Sequence, residues 1–241
     1  MRRLARTFDG MFARLETSFL SKKQFTADAS HELRTPVAVI LAECDRARRK
    51  AETKEDFLAS INVIEQQGNK MNTLIEQLLS LTRIQQGTEK YPLRVCDLSG
   101  FVDACCDEFV PADERGMTLE TDIEPGVAAA YNPSLLSRAM FNLMQNAYKY
   151  GREGGNIRVS LCRENGCAVI SVKDDGPGIP KAEQEKIWQR FYRCDTSRAE
   201  GGTGLGLAIV KNAVAIHGGT ITARNRDRGG LEFVFTLRKH S

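Results

Sequence analysis

The sequence lacks a hydrophobic run long enough to cross a membrane. Its uncharged apolar stretches, such as residues 37–42, fall far short of the roughly 18 residues that a transmembrane helix requires. The order of charged, apolar and small residues that marks a secretory signal is also missing, because residues 1–3 lead directly into an amphipathic pattern. We therefore expect no direct membrane insertion of this chain.

The sequence also lacks an excess of charge and a recognisable cysteine pattern. Its 34 basic and 31 acidic side chains leave a net charge of +3, which is too small to predict nucleic acid as a partner. The seven cysteines form an odd number without a CxxC pair, and no histidine lies at zinc-finger spacing. We interpret them as reduced thiols of a cytoplasmic protein, most of them in its core.

Proline and glycine are nearly missing from the first 86 residues, which contain Pro36, Gly10 and Gly68. Apolar or small residues repeat there in two series with the spacing of a coiled-coil seam. Polar residues 50–55 separate the two series, so we predict a helical hairpin that turns at this segment. The series are Leu4, Phe8, Met11, Leu15, Ser18, Phe25 and Ala29, and then Phe57, Ile61, Ile64, Gly68, Met71, Ile75 and Leu78.

Two helices with narrow apolar stripes cannot enclose a core by themselves. A second copy of the hairpin would complete a four-helix bundle, so we predict a homodimer. The alternative is that the hairpin packs on the rest of its own chain.

Short β-like runs alternate with helical patterns from about residue 91 onward. Asn132 and Pro133 supply an N-cap and a first-turn proline for one of the helices. The pattern predicts an α/β sandwich with antiparallel strand pairs at its end. We predict strands at residues 93–95, 117–123, 156–163, 167–173, 220–226 and 231–237, and helices at residues 98–114, 133–150, 180–188 and 205–217.

The helix over residues 133–150 carries a polar face of unusual composition. Asn142, Asn146 and Lys149 are spaced by four and three residues and so share one side of the helix. Asparagine is a poor helix former, whereas its amide oxygen can bind magnesium and a lysine one turn on can contact phosphate. The alternative interpretation is a solvated helix face.

Two glycine-containing segments are candidate ligand loops. In residues 174–180 an aspartate can accept from an exocyclic amine while the glycines let the backbone approach a flat ligand. Residues 201–207 open a helix whose free amides favour phosphate, although they match neither the Walker A nor the Rossmann spacing. Each segment could also be an ordinary tight turn.

His31 lies in residues 25–36 of the first predicted helix. It follows the seam residue Ala29 by two positions, about 200° around the helix, so we expect it to face water. Pro36 removes a helical hydrogen bond just after it and should bend or loosen the helix there. An exposed helical histidine is otherwise usually inert.

In their order and spacing these four segments resemble the H, N, G1 and G2 boxes of the sensor histidine kinases of two-component systems, and residues 187–193 resemble the family's F box. The resemblance implies a dimerisation and histidine-phosphotransfer hairpin over residues 21–86, a linker at 87–91, and a GHKL-type (Bergerat) ATP-binding domain over 92–241. Residues 1–20 resemble the last helix of a HAMP signal-relay domain.

The resemblance also assigns roles to particular residues. His31 matches the phosphorylated histidine, Glu32 the acidic residue that takes a proton from the imidazole, and Thr35 the polar residue that orients water for dephosphorylating the partner. Asn146 matches the ligand of Mg²⁺. The residues implied to bind ATP are Asn142, Asn146, Lys149, Tyr150, Asp174, Gly176, Gly178, Gly202, Thr203, Gly204, Leu205 and Gly206.

The implied cofactors are ATP and Mg²⁺, with residues 193–203 as a mobile lid over the nucleotide. The implied partners are a second copy of the chain and the receiver domain of a response regulator, and the implied location is cytoplasmic, with a parent protein in the cytoplasmic membrane of a bacterium. A GHKL ATPase that drives mechanical closure and a catalytically silent scaffold are the alternatives. Asp175 departs from the family pattern, which often has asparagine there, as does Asn132, where aspartate is frequent.

Overall fold

A computed structural model of the chain describes residues 2–85, 91–109, 115–194, 202–227 and 229–238. It divides into two compact units, Met1–Leu78 and Leu79–Ser241. Most of the predicted linker, residues 195–201 of the predicted lid and the end of the helix predicted at 98–114 lie outside the described residues.

The first unit is formed by the predicted hairpin. Helix α1 spans Arg2–Lys50 and helix α2 spans Lys54–Gln85, so the turn falls within the predicted segment. A reciprocal cap begins α2, because the Asp56 amide donates to Thr53 Oγ1 at 3.2 Å and the Thr53 amide donates to Asp56 Oδ2 at 3.1 Å. The hydrogen bonds from Thr53 lower the pKa of Asp56. No helix in the described residues is long and apolar enough to cross a membrane.

The second unit contains the predicted α/β sandwich. A five-stranded sheet has the order β2–β4–β5–β7–β6, with β2 parallel to β4 and the other neighbours antiparallel, and a separate two-stranded sheet pairs β1 with β3. The elements are β1 Arg94–Asp97, α3 Leu98–Glu108, β2 Thr118–Ile123, β3 Ala128–Tyr131, α4 Pro133–Tyr150, β4 Asn156–Glu164, β5 Cys167–Lys173, α5 Gly206–Ile216, β6 Ile221–Asn225 and β7 Leu231–Arg238.

The two faces of the large sheet have opposite chemistry because side chains alternate along each strand. Apolar residues such as Val159, Val172 and Phe233 occupy neighbouring positions and are buried in the core with the apolar sides of α3, α4 and α5. The alternate positions form a charged row that continues in register across all five strands. The members of that row are Glu120, Arg158, Lys173, Glu232 and Arg224.

Glu232 is the buried member of this charged row. Its Oε1 lies 3.2 Å from Lys173 Nζ, and its Oε2 lies 2.5 Å from Arg224 Nε. Burial by itself would raise the pKa of Glu232, but the hydrogen bonds from the two cations bring the pKa below its usual value. The row therefore carries an ionised carboxylate on the outer face of the sheet.

Three expectations drawn from the sequence are wrong. The cysteines do not lie mostly in the core, because Cys105 and Cys106 are buried whereas the other five are exposed or half-buried. Residues 180–188 do not form an α-helix, because their backbone closes in tight turns, such as Glu183 N–H to Pro180 O, and ends in a 3₁₀ turn at Lys186–Trp188. Strand β3 was not predicted, because three of its four residues are alanine, which has little β-propensity.

Candidate active site

His31 lies in the first unit, on the exposed side of α1. This exposure confirms the position inferred from the helical period. An exposed imidazole can be reached by a phosphoryl donor and by a second protein.

The backbone beside His31 departs from a regular helical hydrogen-bond pattern. Pro36 is buried within α1, which continues through it to Lys50, and it has no N–H to donate to the carbonyl of Glu32. The exposed Thr35 donates from its hydroxyl to the His31 carbonyl at 3.4 Å, a long hydrogen bond. Glu32 is half-buried, and within the described hairpin no hydrogen bond joins its carboxylate to the His31 ring, because adjacent helix positions point in different directions.

In the second unit, α4 carries the predicted polar face. Its N-cap Asn132 accepts from the Leu135 amide at 3.2 Å. Asn142 donates from Nδ2 to the Arg138 carbonyl at 2.7 Å, whereas within the described residues the Asn146 amide makes no hydrogen bond to protein. The oxygen of the Asn146 side chain is therefore available to a ligand.

Lys149 and Tyr150 end α4 as a contacting pair. The ammonium of Lys149 donates to the Tyr150 hydroxyl at 3.2 Å and lies 4.8 Å from the centre of its ring. A Cβ placed on Gly202 would lie 3.0 Å from Lys149 Nζ, so the cation is also next to the glycine-rich segment. The structure thus brings Gly202 next to Lys149 and Tyr150, which lie far from it in the sequence.

Asp174 is a buried carboxylate at the end of β5. Its Oδ1 accepts from the Gly176 amide at 2.9 Å and from the Leu231 amide at 3.0 Å, and only 4% of the residue is exposed. Burial, followed by the charge of Asp175, raises the pKa of Asp174 despite these hydrogen bonds. A buried acceptor in a rigid setting is suited to recognising a donor on a ligand.

The loop after Asp174 is fixed by close backbone contacts. A Cβ on Gly176 would collide with the Tyr150 carbonyl, and Gly178 has a φ of 75°, which favours glycine. Asp175 accepts from the amides of Arg152 and Asn156 at 3.1 Å each. The carboxylate of Asp175 therefore ties the loop after Asp174 to the segment that connects α4 with β4.

The start of α5 forms the glycine-rich segment. Gly204 has a φ of 69° and its carbonyl accepts from the Phe191 amide at 3.0 Å. The buried Leu205 donates its amide to Thr203 Oγ1 at 3.3 Å, and a Cβ on Gly206 would lie 2.7 Å from Asn142 Oδ1. The first amides of α5 are available for an anion, because the first turn of a helix has no internal acceptors for them.

Three residues that sequence reasoning missed support this site. Arg115 donates to the carbonyls of Tyr148, Lys149 and Gly151 at the end of α4. The side chain of Asn225 accepts from the Ile179 N–H through Oδ1 and donates to the Ile179 carbonyl through Nδ2. Arg226 donates to the Asp174 carbonyl at 2.5 Å. Their partners lie far away in sequence, so no local pattern could have indicated these roles.

The fold and the site define a class of protein. A hairpin with an accessible histidine precedes an α/β sandwich whose buried aspartate, close-packed glycines and helix start form a nucleotide-type site. This combination is characteristic of histidine kinases with a GHKL-type domain.

Comparison with known proteins supports this class. The family model of the His Kinase A (phospho-acceptor) domain matches residues 21–87, and that of the histidine kinase-, DNA gyrase B- and HSP90-like ATPases matches residues 131–241. The sensor histidine kinase RppB of Synechocystis is 36% identical over 225 residues, which cover 91% of this chain and 50% of RppB.

Two solved structures share the fold. Full-length ShkA in complex with AMPPNP has a TM-score of 0.65 and 25% identity, covering 88% of this chain and 44% of that chain. ThkA in complex with the response regulator TrrA has a TM-score of 0.75 and 24% identity, covering 94% of this chain and 64% of that chain. This chain belongs to the sensor histidine kinases of two-component systems, and it spans about half the length of the curated relatives it matches.

Proposed function

We propose that this chain transfers the γ-phosphoryl group of ATP to His31 and then to an aspartate in the receiver domain of a response regulator. The observation that carries this proposal is the exposed imidazole on α1 in a chain that also contains the buried Asp174 and the glycine-rich start of α5. The partner proposal is supported by ThkA, whose solved complex contains a response regulator.

The residues of the second unit fit ATP. The Asp174 carboxylate would accept from the adenine amino group, and Gly176 and Gly178 allow the loop beside it to pack closely against Tyr150 and Asn225. Lys149 and the first amides of α5 would bind the phosphates. The glycine-rich segment that presents these amides consists of Gly202, Thr203, Gly204, Leu205 and Gly206. The AMPPNP bound to the related ShkA supports this assignment.

The residues also fit Mg²⁺, because the Asn146 amide oxygen is an oxygen donor that is not engaged by protein within the described residues. When bound, the ion would neutralise negative charge on the phosphates. Lys149 would contribute a second positive charge from the same face of α4.

The chain's own part in phosphoryl transfer is mainly nucleophilic. An unprotonated nitrogen of the neutral His31 ring would form the N–P bond while the bond from phosphorus to the bridging oxygen breaks and ADP leaves. The proton on the other ring nitrogen would pass to the carboxylate of Glu32. Because no hydrogen bond joins the Glu32 carboxylate to the His31 ring in the described hairpin, we expect the Glu32 side chain to change rotamer during the reaction.

Labelling with γ-³²P-ATP and Mg²⁺ tests this function. A histidine kinase retains label that is stable in alkali and lost in acid, whereas a GHKL ATPase releases phosphate and retains none. A silent scaffold binds nucleotide without either result. Absence of retained label from protein that binds ATP would contradict the proposal.

We also propose that the predicted hairpin dimerises through its seam, completing a four-helix bundle over residues 21–86. The support is a set of large apolar side chains on α2 that are exposed in the single chain, among them Phe57 at 47%, Ile61 at 55% and Ile75 at 42%. Residues 1–20 would continue α1 toward a HAMP-like relay, and the parent protein would sit in a bacterial cytoplasmic membrane with this part in the cytoplasm.

Ile61→Glu is expected to convert the dimer to a monomer. Burial of such a side chain contributes about 1.5–3 kcal/mol in each copy, so the dissociation constant should rise by about a hundredfold or more. Light scattering at micromolar concentration measures the change. Asn62→Glu, at the neighbouring exposed position off the seam, is the matched control and should remain dimeric. A monomeric wild type would contradict the bundle.

We further propose that Thr35 orients the water that removes phosphate from the regulator. Its hydroxyl is exposed one turn beyond His31, and its hydrogen bond to the His31 carbonyl is long enough to exchange for a water. The competing role is purely local, as a hydroxyl that satisfies a carbonyl ahead of Pro36.

Thr35→Ala should leave His31 labelling near wild type and slow the decay of phosphorylated regulator by about tenfold or more, because the water loses its orientation. Thr35→Ser keeps the hydroxyl and should retain most of the activity. The decay rate of the phosphorylated regulator with each variant is the measurement. Equal decay with Thr35→Ala and wild type would leave Thr35 with its local role.

A further inference from the structure

His217 is a buried histidine that the proposed reaction does not use. It follows the last residue of α5, and only 4% of it is exposed. A histidine at a helix end before two glycines ordinarily acts as a polar or cationic cap. In the structure His217 has a second contact beyond that role.

The ring of His217 bridges two helices. Its Nε2 lies 3.0 Å from the backbone nitrogen of Asn132, the N-cap of α4, and its Nδ1 lies 2.6 Å from the carbonyl of Ala213 in α5. A backbone N–H can only donate and a carbonyl can only accept, so Nε2 accepts and Nδ1–H donates. The ring is therefore neutral, and burial lowers its pKa, which favours the neutral form.

The same two helices also approach each other at the start of α5 and the middle of α4. Asn142 Oδ1 lies against Gly206, where a Cβ would be 2.7 Å away, and Gly206 is the first residue of α5. The distance from residue 132 to 142 is about 15 Å along α4, and that from residue 206 to 217 is about 16 Å along α5. The two helices thus run antiparallel over nearly equal lengths, with a hydrogen bond at the end of α5 and close packing at its start.

We infer that His217 is a positioning residue that sets the axial register of α5 against α4 and so holds the glycine-rich segment 202–206 beside Asn142, Asn146 and Lys149. A slip of α5 along α4 would break the hydrogen bond from the Asn132 amide to Nε2, since the bond from Nδ1 to Ala213 lies within α5 and moves with it. The same slip would move the first amides of α5 away from the polar face. This inference rests on the proposed nucleotide site, because its effect is read at that site.

Two amide substitutions separate the bridge from simple packing. His217→Gln carries an amide that reaches toward the Nε2 position and can accept from the Asn132 N–H. His217→Asn reaches only the Nδ1 position, so it can bond Ala213 but not Asn132. The expected result is an affinity for AMPPNP about tenfold or more below wild type for His217→Asn, with most of that loss restored in His217→Gln.

Calorimetric titration with AMPPNP and Mg²⁺ measures these affinities, and Lys211→Gln, at an exposed position of α5, is the control with wild-type affinity. Failure of the wild type to bind would contradict the proposed function. Binding by the wild type with equal affinities for His217→Asn and His217→Gln would overturn the register inference alone.

Coupling to Asn142 supplies a readout that a merely stabilising residue would not change. Mutations this far apart normally have independent effects, so their losses in affinity should multiply. If the register is shared, His217→Asn combined with Asn142→Ala loses clearly less than the product of the two single losses. Should His217→Asn not fold, His217→Leu, which fills the buried site but forms neither hydrogen bond, tests the same point. The readout is then the amide resonances of Gly204 and Gly206, compared with those of Lys211→Gln. Unchanged resonances or a full product would contradict the register role.

Discussion

Replacing His31 with glutamine is expected to abolish phosphate labelling of the chain while its affinity for AMPPNP stays within about twofold of wild type. The expectation follows from the position of the residue. His31 is the proposed nucleophile on α1, whereas the residues proposed to bind ATP belong to the second unit. Glutamine has no ring nitrogen that can form a phosphoramidate, so the loss of label should exceed about a thousandfold. Retention of label against time, together with calorimetric binding, measures the two properties separately.

Ser30→Ala is the matched control for this substitution. Ser30 precedes His31 on α1, is exposed, and donates its hydroxyl to the Thr26 carbonyl at 2.8 Å. The variant removes a neighbouring phosphate acceptor and leaves the imidazole intact, so labelling should remain near wild type. Wild-type labelling of His31→Gln together with loss of label in Ser30→Ala would place the acceptor at Ser30.

Asp174→Asn is expected to weaken ATP binding by about tenfold to a hundredfold. The variant replaces a charged acceptor by a neutral amide in a buried position, and a hydrogen bond to a charged group contributes about 1.5–3 kcal/mol. The same change should narrow the preference for ATP over ITP, because the amide can donate to the oxygen that replaces the adenine amino group in ITP. Titration with both nucleotides measures the effect, and Asp122→Asn, an exposed aspartate on β2, is the control.

The pH dependence of ATP binding provides a second signature of Asp174. Burial and the charge of Asp175 raise its pKa, so the carboxylate becomes protonated at a higher pH than an ordinary aspartate. As the pH falls through this raised pKa, the acceptor is lost and ATP affinity should decrease. The decrease should be much smaller in Asp174→Asn, which has no proton to gain there. An identical pH profile for both proteins would exclude Asp174 as the titrating group.

The parts of the fold that local chemistry specifies were predictable from the sequence. Helix α4 begins and ends as predicted, because Asn132 and Pro133 fix its start and its apolar residues repeat with a helical period. The turn between β4 and β5 was also predictable, since Asn165 and Gly166 favour the positive φ angles of 50° and 76° that a two-residue hairpin needs.

The missed parts depend on contacts between distant residues. Strand β3 forms because its four residues pair with β1, more than 30 positions earlier in the chain, and not because of their own propensity. Residues 180–188 resemble a helix in composition, but Asn225 holds the preceding Ile179 and Trp188 packs edge-on against Phe233 at 5.9 Å. These contacts impose turns on a segment that would otherwise favour a helix.

The candidate site divides in the same way. The types of residue at positions 146, 174 and 202–206 pointed to nucleotide chemistry, because amide, carboxylate and glycine each suit one part of the ligand. The side chains that hold these residues in place could not be predicted from the local sequence. Arg115 bonds the end of α4 and His217 bonds its start, although both residues lie far from α4 in the sequence. Asp175, which departs from the usual asparagine, is explained by the two backbone amides that its carboxylate accepts.

Mapping the phosphorylated residue tests the central claim most directly. Trypsin cleaves after Lys23 and Arg34 and releases residues 24–34, which contain His31 together with Thr26 and Ser30. After reaction with γ-³²P-ATP and Mg²⁺, fragmentation of the labelled peptide under alkaline conditions should place the phosphate on His31, and acid should remove it. Phosphate that resists acid, or that lies on Ser30, on Thr26 or on another peptide, would contradict the account.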